Sequence, residues 1–215
     1  LLFDDMDDLR DFQRPYAKNR RLLGVGSGQR VDLVEVIGMA MPTILLGCST
    51  VSGAFTREVV DVMSAAAERP LIFPLSNPTS RMEARPADVL AWSDGKALVA
   101  TGSPVPPVEY RGARYRIAQA NNALVFPGIG LGVTVAGARR VTKKMLQAAA
   151  KAVAAQVDWG QPDAGLLPHI ETLSAVSAAV GEAVYRAAVD DGVATRSHDD
   201  IGRAIREARW LPAYD

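Results

Sequence analysis

Three short apolar runs, separated by stretches of helical spacing, give the chain its rhythm. Thr43 to Gly47 (TILLG), Leu71 to Leu75 (LIFPL) and Ala97 to Thr101 (ALVAT) each have the length and branched-residue content of a strand. The first reads as a strand buried on both faces. Between the first two runs, Phe55, Val59, Val62, Met63 and Ala66 recur at i, i+4, i+7, i+8 and i+11, with Thr56 placed to cap that helix and Pro70 to stop the chain after it. Between the second and third, Pro86 suits a first helical turn and Asp94-Gly95 closes the helix after Trp92. Val31 to Ile37 shows helical spacing ahead of the first strand, with Pro42 shortly after. Strand, helix, strand, helix, strand, with connections of this length, predicts parallel crossovers. The expected class is α/β, a partial parallel sheet of three strands followed by C-terminal helices.

Downstream the pattern changes. Tyr110 to Tyr115 (YRGARY) reads as a small hairpin with Gly112 at its tip, and the N-terminal Phe12 to Tyr16 as a short element closed by Pro15. Glycines 128, 130, 132 and 137 crowd a single apolar segment, which predicts a helix opened by Pro127 whose glycines let another backbone approach closely. Thr142 to Gln156 is an alanine-rich amphipathic helix. Glu171 to Val189 carries Leu173, Val176, Val180, Ala183 and Val184 on one stripe, with Gly192 as its stop. A last helix is expected over Asp200 to Arg209, ending at Trp210-Leu211-Pro212. Gln156 to Gly165 comes nearest to a boundary.

Composition narrows the field mainly by exclusion. The chain has 215 residues, enough for a full core without staples. Its 24 basic and 24 acidic residues balance, so no basic excess points to nucleic acid or an anionic membrane. Cys48 stands alone, so no internal disulfide forms, which fits a reducing compartment. No apolar run reaches the roughly 20 residues of a spanning helix, and LLFDDMDD lacks the basic start of a signal peptide. A cytoplasmic protein is expected. The opening Leu1-Leu2-Phe3, without methionine, leads us to expect a fragment of a longer chain.

Candidate chemistry gathers where the three strands end. They run out into Cys48-Ser49-Thr50, Ser76-Asn77 and Gly102-Ser103. Each is an ordinary turn sequence on its own. In series they predict one shared crevice, because open parallel sheets bind ligands beyond the carboxyl ends of their strands. Asn77 anchors this reading, since Pro78 forbids a central strand from continuing past it. Asn121 and Asn122 form a second amide pair whose hydrogen bonds must be satisfied. Other features read as structural. Asp4, Asp5, Asp7 and Asp8 are a solvated loop, because neither histidine nor a turn glycine accompanies them. Gly24 to Gly28 (GVGSG) fails the G-x-G-x-x-G spacing and is a flexible turn. His169 and His198 sit in polar, loop-like stretches, and Lys143 and Lys144 belong to a solvated helix face.

Three blocks in combination, SNPTS from Ser76, ATGSP from Ala100 and NNALVFPGIGLG from Asn121, together with PTILLGCSTVSGAF and the opening DDLRDFQRPYA, resemble the C-terminal half of a malic enzyme. WLPAY at the end matches more weakly, so the resemblance spans nearly the whole chain. It implies a Rossmann-like fold, with residues 1–156 the C-terminal portion of an NAD(P)-binding domain and 157–215 a helical extension of it. It further implies oxidation of L-malate with NAD or NADP and Mg2+ or Mn2+, then decarboxylation to pyruvate and CO2, in a homodimer or homotetramer. By position, Asn77 corresponds to an asparagine that contacts both malate and the nicotinamide side of the cofactor. Asn121 and Asn122 correspond to the paired asparagines of the substrate pocket, with Asn121 preferred for the malate contact. Cys48, Ser49, Thr50, Gly102 and Ser103 correspond to strand ends facing the dinucleotide. The chain departs from the pattern at Ala120, where many relatives place glycine.

The resemblance also implies what these residues lack. Metal-binding carboxylates, a lysine base, a tyrosine acid, a malate-gripping arginine and the G-x-G-x-x-G loop would all precede Leu1, so no catalytic residue and no metal ligand is expected here. Two other readings stay open: a stand-alone nucleotide- or partner-binding module without chemistry, and a malolactic relative that releases lactate.

Overall fold

The computed structural model describes residues 1–160 and 165–209. The WLPAY block, with the Trp210-Leu211-Pro212 stop expected after the last helix, lies outside that range. Strands β1 (Ile44–Gly47), β2 (Leu71–Pro74) and β3 (Leu98–Thr101) form a parallel sheet, with Ile44 opposite Leu71 and Leu71 opposite Leu98. Helices α1 (Leu33–Ala40), α2 (Arg57–Ala66) and α3 (Pro86–Trp92) precede or connect these strands. Local chemistry sets their starts. The Asp32 carboxylate accepts from the Glu35 amide while Glu35 reaches back to the Asp32 amide, a reciprocal cap. Thr56 Oγ1 accepts from the Val59 amide, and Pro86 opens α3.

The sheet has one more strand than the sequence pattern predicts. After an antiparallel hairpin, β4 (Val108–Tyr110) and β5 (Ala113–Tyr115), the two-residue β6 (Ala118–Gln119) pairs parallel with β3, giving the order β1-β2-β3-β6. Two residues carry no detectable periodicity, which is why β6 was invisible in the sequence. The hairpin itself matches expectation, with Arg111 and Gly112 both at positive φ in its turn.

The expectation that TILLG is buried on both faces is corrected. Ile44 and Leu46 are 50% and 59% exposed. The reason lies in the register. Leu45, Ile72 and Val99 point to one face and pack with Ile37, Val59, Val60, Met63, Val89 and Leu90 in a single core. Ile44, Leu46, Leu71, Phe73 and Leu98 share the opposite face, which has no helix layer among the described residues. Pro15 is also placed differently, inside a short 3-10 turn over Arg14–Tyr16.

Helices α4 (Phe126–Ala136), α5 (Lys143–Ala154), α6 (Leu173–Asp190) and α7 (Ile201–Glu207) build a second core around Val135, Met145, Val176, Val180, Val184 and Ile205. Gly128 and Gly132 act as predicted, whereas a Cβ on Gly130 would meet nothing within 4 Å. A Cβ on Gly128 would lie 2.5 Å from Val180 Cβ, and one on Gly132 2.6 Å from the Gly181 carbonyl oxygen, so both are needed for α4 to reach α6. Along the chain the first core ends at Ile117 and the second begins at Leu124.

The remaining charged features are structural ties. Arg20, 8% exposed, grips Asp5 with Nε at 2.7 Å and lies 3.8 Å over the Phe3 ring, while Asn19 Nδ2 donates to Asp4, so two members of the exposed acidic loop are tethered. Lys144 reaches Asp191 at 2.7 Å, tying α5 to the end of α6. His198 Nε2 is 3.1 Å from the Val135 carbonyl oxygen, and His169 Nδ1 accepts from the Glu171 amide at the start of a short turn.

Candidate functional site at the carboxyl edge of the sheet

Because β1, β2, β3 and β6 are parallel neighbours, their exits line one edge of the sheet. The exit of β1 is Cys48 to Thr50, that of β2 is Ser76-Asn77, that of β3 is Gly102-Ser103, and that of β6 is Ala120 to Asn122. All of the residues singled out in the sequence therefore sit on this edge. Cys48, Ser49, Thr50, Asn77, Asn121 and Asn122 are exposed, so they form an open shelf rather than a closed cavity. A cavity of about 520 Å³, lined by residues including Arg114, Arg116, Gln119 and His169, adjoins β6 but takes in none of them.

Asn77 and Ser103 join two exits directly: Ser103 Oγ donates to Asn77 Oδ1 at 2.5 Å. Gly102 makes the approach possible. A Cβ there would stand 2.1 Å from the Leu75 carbonyl oxygen and 2.9 Å from the Asn77 amide atoms. The peptide bond between Asn77 and Pro78 is cis. On the next exit, the Ala120 amide donates to the Thr101 carbonyl at 2.8 Å, extending the β3–β6 pairing to the residue before Asn121. Asn121 Oδ1 then accepts from the Ala123 amide at 2.9 Å and caps a short 3-10 turn over Asn122–Leu124.

These bonds use the carbonyl oxygen of both asparagines. What each retains, without a partner among the described residues, is the Nδ2 amide with its two hydrogens. Two neutral donors on the exits that flank β3 suit a carboxylate, a carbonyl oxygen or a carboxamide, and they bring no charge to perturb nearby pKa values. Asn122, the other half of the pair, opens that turn and makes no such contact among the described residues.

The residue that sequence reasoning missed is Glu83. It is fully buried, and its Oε1 accepts from the Ser49 amide (2.8 Å), Ser49 Oγ (2.8 Å) and Ser76 Oγ (2.5 Å), while Oε2 accepts from the Ser76 amide (3.3 Å). Ser76 Oγ in turn accepts from the Thr50 amide at 2.9 Å. Burial alone pushes the Glu83 carboxyl up, but the bonds from Ser76 and Ser49 together outweigh it and hold it below the ordinary glutamate value. Gly47, the last residue of β1, leaves the space this carboxylate fills, since a Cβ there would lie 2.7 Å from Glu83 Cδ. Thr50 holds φ at +58°, a left-handed conformation that costs a β-branched residue about 1–3 kcal/mol and persists only when its surroundings impose it. The one sequence signal for Glu83 was an acid between two apolar residues in RMEAR, which reads equally well as an ordinary helix approach.

The fit of the groups implied above can now be judged. The edge offers a dinucleotide exposed backbone and small side chains at Cys48 to Thr50, and amide donors at Asn77, on the side of the sheet where such ligands bind. A bound nicotinamide would supply the hydride acceptor. For a divalent cation the residues do not fit. Among the described residues no three His, Cys, Asp or Glu side chains are grouped to hold one, and no step here runs through a metal. No helix among the described residues is long and apolar enough to cross a membrane.

A parallel α/β sheet with a polar, amide-bearing carboxyl edge defines the class: an open-sheet domain of the dinucleotide-binding type. Comparison with known proteins then makes the assignment specific. Residues 1–189 match the family described as malic enzyme, NAD binding domain, and the chain belongs to that family. It is 66% identical over 215 residues to a Mycobacterium tuberculosis protein provisionally named an NAD malate oxidoreductase, covering all of this chain and 39% of that protein. It is 46% identical over 214 residues to the malolactic enzyme of Lactococcus lactis, again covering all of this chain and 39% of the other. The crystal structure of Entamoeba histolytica malic enzyme shares the fold, with a TM-score of 0.71 at 23% identity over 96% of this chain and 39% of that one. The chain thus spans about two-fifths of the length of the relatives it matches.

Proposed function

We propose that the intact protein oxidises L-malate with NAD and decarboxylates the product to pyruvate and CO2, and that these 215 residues contribute the substrate- and nicotinamide-facing edge of its cofactor domain. One observation carries the reading. Asn77 and Asn121 sit exposed on the exits of β2 and β6, on either side of β3, each with its side-chain oxygen committed and its Nδ2 amide without a partner among the described residues. Donors so held can orient a malate carboxylate or oxygen against a nicotinamide ring in a near-attack arrangement. Cys48, Ser49, Thr50, Gly102 and Ser103 flank the dinucleotide, and Asn122 supports the substrate side. A Mg2+ or Mn2+ ion would be held by groups other than the described residues and would supply Lewis acidity to the decarboxylation. The assembly is a cytoplasmic homodimer or homotetramer.

The malolactic relative supports a second reading, in which the same edge binds malate and NAD but lactate is released. Both are tested by supplying L-malate, NAD and Mn2+ or Mg2+ to the intact protein. Pyruvate with stoichiometric NADH supports the first, and lactate without net NADH supports the second. Binding of nucleotide with neither product would replace both with a module that does no chemistry. The isolated 215 residues are expected to give no turnover under the same conditions, because the acid, base and metal ligands are not among them.

A further inference from the structure

We propose that Glu83 is the positioning residue of the cofactor edge, an anionic hub that sets the turn after β1 and the exit of β2 in one fixed relation. This rests on the reading of that edge as the NAD and malate site.

Glu83 touches neither exposed asparagine. What it holds is backbone. Its two oxygens take both the amide and the hydroxyl of Ser49 and both the amide and the hydroxyl of Ser76. Four donors from two separate strand exits converge on one carboxylate, and among the described residues no cation accompanies it. An ionised carboxylate without a counter-charge persists in the interior only where hydrogen bonds replace its hydration. The arrangement therefore cannot loosen at one strand without leaving charge exposed to the core at the other. Both connections lead outward. Ser76 precedes Asn77, so fixing its amide and hydroxyl fixes where the Asn77 side chain leaves the sheet. Ser49 precedes Thr50, whose left-handed backbone is held by the bond from its amide to Ser76 Oγ. Gly47 and the buried Phe55 shape the remaining wall, since a Cβ at 47 would lie 2.7 Å from Glu83 Cδ and 2.8 Å from the Phe55 ring. A neutral amide at position 83 has half the acceptor capacity and adds two hydrogens facing four donors, so size is kept while the pattern fails.

The test uses Glu83→Gln and Glu83→Asp in the intact protein, with two readouts. Hydrogen exchange at the amides of 49–51 and 76–77 is expected to rise in Glu83→Gln, while the amides of β2 and β3 stay protected. The Kd for NADH, read by fluorescence, is expected to weaken about tenfold, with kcat at saturating NAD and malate falling less than kcat/KM. Glu83→Asp is expected to recover part of both effects, because charge returns at shorter reach. Should Glu83→Gln fail to fold, Ser76→Ala removes one hydroxyl from the hub and is expected to speed exchange at the Thr50 amide and weaken NADH several-fold. A folded Glu83→Gln or Ser76→Ala that binds NADH like wild type, with unchanged exchange at 49–51, overturns the proposal. If the wild type itself binds no NADH, the functional reading of the edge fails, and the exchange data alone decide whether Glu83 organises it.

Discussion

Ser103 donates its hydroxyl to the Asn77 side-chain oxygen, so the exit of β3 orients the amide that the exit of β2 delivers. Neither residue could do this alone. Asn77 follows the end of β2 at Pro74 by three residues, and Ser103 needs Gly102 to bring its backbone within reach. Replacing Ser103 with Ala leaves Asn77 in place but frees its side chain to rotate. One neutral hydrogen bond is worth about 1 kcal/mol, so the expected result is a several-fold rise in the KM for malate with the fold unchanged. Steady-state kinetics and thermal melting of the variant check both halves.

Asn121 has two jobs that a pair of substitutions separates. Its oxygen caps the turn leading into α4, and its amide faces outward. Asn121→Asp keeps the cap, because a carboxylate accepts from the Ala123 amide as well as a carbonyl does, but it exchanges a donor for a negative charge. Asn121→Ala loses both functions. Asp should therefore match wild type in Tm while losing malate affinity more severely than Ala. Ala should be destabilised by about 1 kcal/mol, the usual worth of such a cap. Equal malate KM values for the Asp variant and wild type would remove Asn121 from the substrate site.

Close backbone approach makes a methyl group costly at both Gly102 and Gly132. At Gly102 the obstacle is the Leu75 carbonyl, part of the sheet backbone, which cannot move aside as a side chain would. At Gly132 a Cβ would meet the Gly181 carbonyl and the Val184 side chain, and α4 can yield by sliding on α6. Overpacking of this kind costs about 1–3 kcal/mol where the neighbours can shift, so Gly132→Ala should lower Tm by several degrees and still yield folded protein. Gly102→Ala should be the more damaging, with loss of soluble protein or of malate turnover. Expression yield and melting of the two variants test the ranking.

Much of this arrangement could be read before any coordinates. The three main strands, the crossover helices with their Thr56 and Pro86 starts, the Gly112 hairpin and the glycine-lined face of α4 each follow from a local rule acting over several residues. What escaped had no such signature. β6 is two residues long and exists because Thr101 needs a partner for its carbonyl, which is a tertiary fact. The exposure of Ile44 and Leu46 depends on which layers cover the sheet, and an apolar run reads the same whether covered or bare. Glu83 escaped because its donors lie 34 and 7 residues away in sequence. Its identity as a buried acid is set by Ser49, Ser76 and the missing side chain at Gly47, not by its neighbours in RMEAR.

Glu83 also gives the fold a pH signature of known sign. Hydrogen bonds from Ser76 and Ser49 outweigh burial, so the folded-state pKa lies below the unfolded value, taken as 4.5. A group depressed on folding contributes stability that is fully present above the unfolded pKa and is lost as pH falls through the folded one. Between neutral pH and about 5 the contribution is expected to be constant, and below about 4.5 it should decline. Asp191, lowered by hydrogen bonds from Lys144 and Thr142, follows the same sign, so wild type alone does not isolate Glu83. The comparison with Glu83→Gln does. At pH 7 the variant should unfold at lower urea, and the gap between the two midpoints should close on acidification because wild type loses the charge that glutamine never had. Asp191→Asn, which leaves the Glu83 hub intact, should keep the acid dependence assigned to Glu83. A gap between wild type and Glu83→Gln that stays constant down to pH 3 would mean the carboxylate is not held ionised by its serines, and its four contacts would then contribute through packing alone.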